Sequence, residues 1–224
     1  MRRVSSRAKT MTLPTDIALI DSIEALTAVN GKVSPATQAK VISRLEQHAS
    51  NFIGRCPFLV IASQCGGDAD ASPRGDTPGF VKVIDDTTLL IPERPGNRLA
   101  DSLSNIVKSP GVGLIFIIPG MNETLRINGN AYITTDPALL AKLCHNGVPP
   151  KLAILVDIKQ VYFHCAKAFI RASLWDPAAQ MPRNEMPTLG KIILEQIRGE
   201  QVTDAESAAL DASLANNIKN SLYD

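Results

Sequence analysis

Two arginines flank a turn that feeds a helix. In residues 92 to 107, PERPGNRLADSLSNIV, Arg94 precedes a Pro-Gly turn and Arg98 follows it. Asn97 is a preferred helix cap. Beyond it, Leu99, Leu103, Ile106 and Val107 fall on one helical face. Asp101 complements the positive end of the helix dipole, whereas Arg98 in the first turn opposes it. An anionic ligand reverses that sign, because free N–H groups and both guanidinium groups then converge on it. The chemistry this pattern supports is phosphate binding. Two solvated turn arginines are the competing reading of the same residues. No Gly-rich strand-turn-helix fingerprint of a Rossmann site or P-loop is present, so a mononucleotide-sized ligand fits better than ATP or NAD.

Other reactive residues form no recognisable set. There is no G-x-S-x-G and no Cys-His motif of a nucleophilic enzyme, so the catalytic residues are not identified. Cys56, Cys65, Cys144 and Cys165 are widely spaced and form no CxxC pair, and no metal site is expected. Cys144-His145 and His164-Cys165 each resemble half a metal site without a partner pair, and structural packing explains them better.

The elements that must position the arginines alternate in period. Residues 15–30 and 35–52 carry helical stripes, the second with Ser34 as cap and Pro35 at its first position. Together they predict an N-terminal helical layer. Apolar or alternating runs at 57–63, 79–84, 88–91, 112–118, 124–133 and 152–163 predict six strands. Gly129 falls inside the fifth, where a bulge or close backbone approach is expected. Helices are expected from about 97 to 108, over 136–144, and over 165–174, 188–198 and 204–222. The class is α+β, mainly β, and closure into a small barrel is the natural way to hide antiparallel edges.

Four stretches then resemble a known family. They are DASPRGDTPGFVKVIDDTTLLIPERPGNRLADSL, PGVGLIFIIPGMNETLRINGNA, YFHCAKAFIRASLWDP and the helical lead-in ending FIGRCPFLVIAS. They are similar to the FMN-binding split-barrel proteins related to pyridoxamine 5′-phosphate oxidase, in a bacterial branch with an N-terminal helical extension. The resemblance implies a six-stranded Greek-key split β-barrel flanked by N-terminal and C-terminal helices. It also implies a homodimer with FMN between subunits. Arg98 matches the arginine that holds the FMN phosphate, with Asn97 and Ser102 beside it. Ser72, Pro73 and Arg74 match the segment along the flavin ring, and Lys82 matches a lysine near it. Ile91 and Pro92 fall where backbone contacts to the ligand are made. Thr124 and Arg126 match the strand given by the second subunit. Trp175, with His164, Lys167 and Arg171, matches the segment over the open face of the flavin; those last three would hold a small-molecule substrate. Leu99 departs from the pattern, because members often carry a second basic residue there. This would weaken phosphate binding unless Arg94 or Lys82 compensates.

The implied activity is an FMN-dependent oxidoreductase; the alternative is a non-catalytic flavin- or haem-binding or sensor protein on the same barrel. Pyridoxamine 5′-phosphate oxidation itself is not expected, because the C-terminal basic pattern differs and helices begin at residue 188. The 224 residues carry a formal net charge of +1, which gives no global field for nucleic acid or an anionic membrane surface. No stretch approaches the roughly 20 apolar residues of a membrane span. With no secretory signal visible, a cytoplasmic protein is expected. The expected organisation is a disordered basic tail over 1–14, the FMN-binding domain with its helical layer over 15–200, and a C-terminal helix over 201–224.

Overall fold

A computed structural model describes residues 17–96 and 99–223 of the chain. The tail expected over residues 1–14 lies outside the described residues. The chain divides into two compact units, residues 1–39 and 40–224. In the first, helix α1 (Ile23–Asn30) is capped by Ser22, whose hydroxyl accepts from the Ala25 N–H, and it buries none of its residues. Helix α2 (Pro35–Ala39) follows with Pro at its first position.

The single helix predicted over 35–52 is interrupted. Ile42 instead forms a β-bridge with Val161, exchanging hydrogen bonds of 3.0 and 2.7 Å. Helix α3 (Gln47–Ile53) starts afresh at Glu46, whose carboxylate accepts from the His48 and Ala49 N–H groups. The β-branched pair Val41-Ile42 suits an extended segment, and backbone pairing outweighs its weak helical preference.

The second unit is built on one antiparallel sheet of seven strands, in the order β2-β1-β5-β6-β7-β4-β3. These are β1 (Phe58–Cys65), β2 (Asp68–Gly75), β3 (Lys82–Asp85), β4 (Thr88–Pro92), β5 (Gly111–Ile117), β6 (Thr124–Thr134) and β7 (Ala153–His164). The strand count therefore corrects the six expected, and the extra strand is β2. It joins β1 through a two-residue hairpin turn at Gly66-Gly67, both with positive φ. It pairs with β1 only, so Pro73 lacks no inner-ladder hydrogen bond. Its alternation is in polar residues: Asp70, Ser72 and Arg74 are half-buried while their neighbours are exposed. A hydrophobic-period reading passes over such a strand.

Gly129 sits at the expected irregularity. The β6–β7 register shifts between Asn128 and Gly129, and a Cβ on Gly129 would lie 2.2 Å from the Asp157 carbonyl oxygen. The core is the inward face of this sheet, with Leu59, Ile61, Phe116, Leu125, Ile127 and Ile154 fully buried against Ala49 and Ile53 of α3. Each such side chain contributes roughly 1.5–3 kcal/mol by leaving water. Helix α4 (Asp101–Lys108) buries Ile106 and packs on β1, β2 and β6.

Shorter helices α5 (Pro137–Ala141) and α6 (Lys167–Arg171) precede a helical hairpin, α7 (Leu189–Arg198) and α8 (Asp204–Asn220). A capping box, Thr203 with Glu206, starts α8. Among the described residues, no helix is long and apolar enough to cross a membrane.

Candidate functional site

A cleft of about 1060 Å³ opens beside the sheet edge. Its walls are β2, the chain leaving β4, the start of α4, the loop at 148–152 and the end of α8. Period-two alternation aims Asp70, Ser72 and Arg74 of β2 to one side, and all three line the cleft. Arg74 is fixed there by three contacts. Its Nε donates to Glu93 Oε2 at 3.0 Å, and its Nη1 donates to Ser72 Oγ at 2.6 Å and to the Pro73 carbonyl at 2.9 Å. Burial pushes the Glu93 carboxyl up, and the Arg74 charge and hydrogen bond only partly offset it.

A second ion pair closes the adjoining end. Arg94 Nε donates to Asp76 Oδ2 at 2.7 Å, and its Nη2 donates to the Leu143 carbonyl at 3.1 Å. The Asp76 side chain is 1% exposed. It also accepts from the Thr77 N–H at 2.7 Å and the Tyr223 hydroxyl at 3.0 Å. Burial pushes its pKa up, but the hydrogen bonds from Thr77, Arg94 and Tyr223 outweigh that and hold it below its ordinary value. His145 Nδ1 lies 3.9 Å from Asp76 Oδ1, and its ring stacks on Tyr223 with centroids 3.6 Å apart.

The start of α4 supplies a different kind of group. The helix begins at Asp101, three residues later than the Asn97 cap predicts, and its N-cap is Ala100 in the left-handed region at φ 57°. Among the described residues, no side chain caps it. Asp101, Ser102 and Leu103 line the cleft, so the uncapped helix start borders it. The Ser102 hydroxyl donates to Asp70, which ties α4 to β2.

The residues selected from sequence separate into groups. Ser72, Pro73, Arg74, Pro92 and Ser102 meet in the cleft. Asn97 and Arg98 lie outside the described residues, although Gly96 and Leu99 on either side line the cleft. Ile91 buries its side chain in the core and pairs with Ile154. Lys82 is exposed, and its Nζ donates to the Gly79 carbonyl at 2.8 Å. Thr124 is buried on β6 opposite His164, and Arg126 lies over the Tyr162 ring at 5.3 Å. Trp175 donates from Nε1 to the Met121 carbonyl at 2.8 Å and meets Phe169 edge to face. His164, Lys167 and Arg171 are exposed, the last two one turn apart on α6. None of these eight residues lines the cleft.

The sequence does not single out Asp76, Glu93 or Tyr223, and His145 stands out in it only as half of an incomplete Cys144-His145 metal pair. The first two stand in the same Pro-Gly-rich segment as Arg94 and Arg74, so opposite charges for both arginines are present locally. His145 and Tyr223 carry no local signal of this contact, because only the fold brings them to Asp76.

A family model described as pyridoxamine 5′-phosphate oxidase matches residues 45–165, more than half of the chain. The chain belongs to this family. The family's span covers all seven strands and α4, and hence four of the five walls of the cleft, whereas α7, α8 and Tyr223 lie beyond it. No curated protein matches the chain. Several solved structures are similar to it. HupZ of Group A Streptococcus is 16% identical at a TM-score of 0.43, covering 52% of this chain and 91% of its own. General Stress Protein 26 of Bacillus anthracis is 16% identical at 0.37, covering 50% and 88%. An FMN-binding protein of Syntrophomonas wolfei is 10% identical at 0.40, covering 52% and 84%.

Proposed function

We propose that this protein binds FMN in the cleft and acts, as a homodimer, as an FMN-dependent oxidoreductase on a small-molecule substrate. One observation carries the reading. Ser72, Pro73, Arg74, Pro92 and Ser102, which the family resemblance assigns to FMN, come from three separate elements and line one cleft. Its volume of about 1060 Å³ lies just above the roughly 300–1,000 Å³ range usual for small-molecule sites.

The residues present fit the group. The uncapped start of α4 offers N–H donors to a phosphate, and Arg98 stands three residues before it in sequence. Of the acids that line the cleft, Glu93 is paired with Arg74, Asp70 accepts a hydrogen bond from Ser102, and Asp101 is exposed to solvent. Bound FMN supplies hydride and electron transfer. The chain supplies the rest. Arg74, fixed by Glu93 and Ser72, orients the ring along β2, while Ser102 and the α4 start hold the phosphate. His164, Lys167 and Arg171 attract an anionic substrate. In the homodimer, Thr124 and Arg126 complete the neighbouring subunit's site, and the sheet closes as the family's split barrel.

Purified protein is expected to be yellow, with about one FMN per chain as its helix-start and arginine pocket implies. An absorbance spectrum with mass analysis of the released cofactor checks this, and colourless protein without FMN affinity rejects it. Arg98→Ala is expected to weaken FMN binding by about 1–3 kcal/mol, the range for a charge-assisted hydrogen bond. Fluorescence titration measures it, and unchanged affinity removes the role given to Arg98. Turnover of bound FMN with reductant and acceptor separates an enzyme from a non-catalytic flavin or haem binder.

A further inference from the structure

The α7–α8 hairpin combines its own polar contacts with a modest apolar part, in which Val202 is buried and Ile192, Ile193, Leu194, Leu210 and Leu214 are half-buried. Lys191 meets Asp204 at 2.8 Å and Arg198 meets Glu206 at 3.0 Å. Asp211 accepts from the Thr188 hydroxyl at 2.7 Å and the Gly190 N–H at 2.8 Å. The buried residues of the two helices are Gly190 and Ser207, neither of which brings a large apolar side chain. Among the described residues, a single side-chain–side-chain hydrogen bond joins the hairpin and the segment after it to the strand-bearing part: Tyr223 to Asp76.

That contact is a built socket. The Tyr223 hydroxyl donates to Asp76 Oδ1, while Asp76 Oδ2 is taken by Arg94. The Tyr223 ring lies within 4° of parallel to His145, and the Arg94 guanidinium carbon stands 5.6 Å from its centroid. His145 is itself fixed by a turn in which it exchanges backbone hydrogen bonds with Val148 at 3.0 and 2.9 Å. The socket therefore gathers Asp76 and Arg94 from the loops after β2 and β4, and His145 from a third loop, onto one ring. Asn217, Ser221 and Tyr223 all line the cleft, so whatever fixes Tyr223 also fixes that wall.

We propose that Tyr223 is a latch: seated in the Asp76–Arg94–His145 socket, it holds the end of α8 as a movable wall of the cleft, and its release opens the cleft to ligand exchange. The hairpin buries little and is tied to the strands at one polar point, which is the pattern of a segment that opens locally while the rest stays folded. Gating by such a segment sets how fast ligands enter and leave. That the ligand is FMN rests on the function proposed above; the latch itself does not.

The test uses the full chain with Tyr223→Phe, which keeps the ring and removes the hydroxyl, and Tyr223→Ala, which empties the socket. Hydrogen exchange followed by mass spectrometry is expected to quicken over residues 189–222 in both variants, more in the second, with the strands unchanged. Unchanged exchange in the hairpin of Tyr223→Ala overturns the latch, as does quickening spread evenly over the strands in both variants. Release of FMN, followed by flavin fluorescence, is expected to be about tenfold faster in Tyr223→Ala, with a smaller increase in Tyr223→Phe. A looser hairpin with unchanged release overturns the role as cleft wall. Failure of the unaltered chain to bind FMN rejects the proposed ligand, and hydrogen exchange still decides the latch.

Discussion

The cations at the cleft and those near α6 are held in opposite ways. Beside the cleft, Arg74 is engaged by Glu93 and Ser72, and Arg94 by Asp76 and the Leu143 carbonyl. Near α6, His164, Lys167 and Arg171 are exposed, and their side chains make no hydrogen bond or ion pair with another described residue. The segment is still anchored, because Trp175 ties it to Met121. A charge committed before a ligand arrives has already met its ordering cost, which suits a site for a resident group. A solvated, mobile charge suits a ligand that comes and goes, and contributes little to stability.

Breaking the buried hub should have the largest effect. Asp76→Ala removes the acceptor of Arg94 and Tyr223 together and leaves a largely buried guanidinium unpaired. A loss of about 3–5 kcal/mol is expected, read as the shift in the urea unfolding midpoint. Glu93→Gln should cost less, about 1 kcal/mol, because Arg74 keeps Ser72 and the Pro73 carbonyl while burial of a charged carboxylate is relieved. The same unfolding experiment measures it.

Acid should separate these two carboxylates. Asp76 is held below its ordinary 3.8, so its stabilisation is present above that value and is lost as pH falls through the lower folded one. Glu93 is held above its ordinary 4.5, so its contribution is full below that value and declines as pH rises through the raised one. Stability followed from neutrality downward should therefore show a gain from Glu93 before the loss from Asp76. Glu93→Gln is expected to erase the first change and keep the second. The smallest effect is expected from Lys167→Ala and Arg171→Ala, each within about 0.5 kcal/mol of the unaltered stability. If they bind an anionic substrate, the same changes should raise KM while leaving the unfolding midpoint alone.

Much of this molecule follows from local pattern. The apolar runs that became β1, β5 and β7 were legible because each buries a continuous face, and the alternation of β6 was legible down to the irregularity at Gly129. The helix expected over 188–198 forms as Leu189–Arg198, with Thr188 as its N-cap. Three features were not legible. Strand β2 alternates in polar residues, so its period carries no hydrophobic signal. The helix over 35–52 was broken by the pairing of Ile42 with Val161, a partner 119 positions away in the chain. The α4 start moved from Asn97 to Asp101, where a left-handed Ala100 stands in place of a side-chain cap.

By itself the sequence determined the class of fold, most of the elements and the family, since these rest on periodicity and on contiguous motifs such as SPRGD and HCAKA. It also marked Ser72 and Arg74, within SPRGD, and Ser102, just after the Arg94–Arg98 turn. Only the tertiary structure decided which charges pair and which stay in water. Asp76, Arg94, His145 and Tyr223 span 147 residues between the first and the last. Nothing in the neighbourhood of any one of them records the other three. The field of a buried carboxylate depends on what the fold carries to within about 4 Å of it, and no local spacing records that.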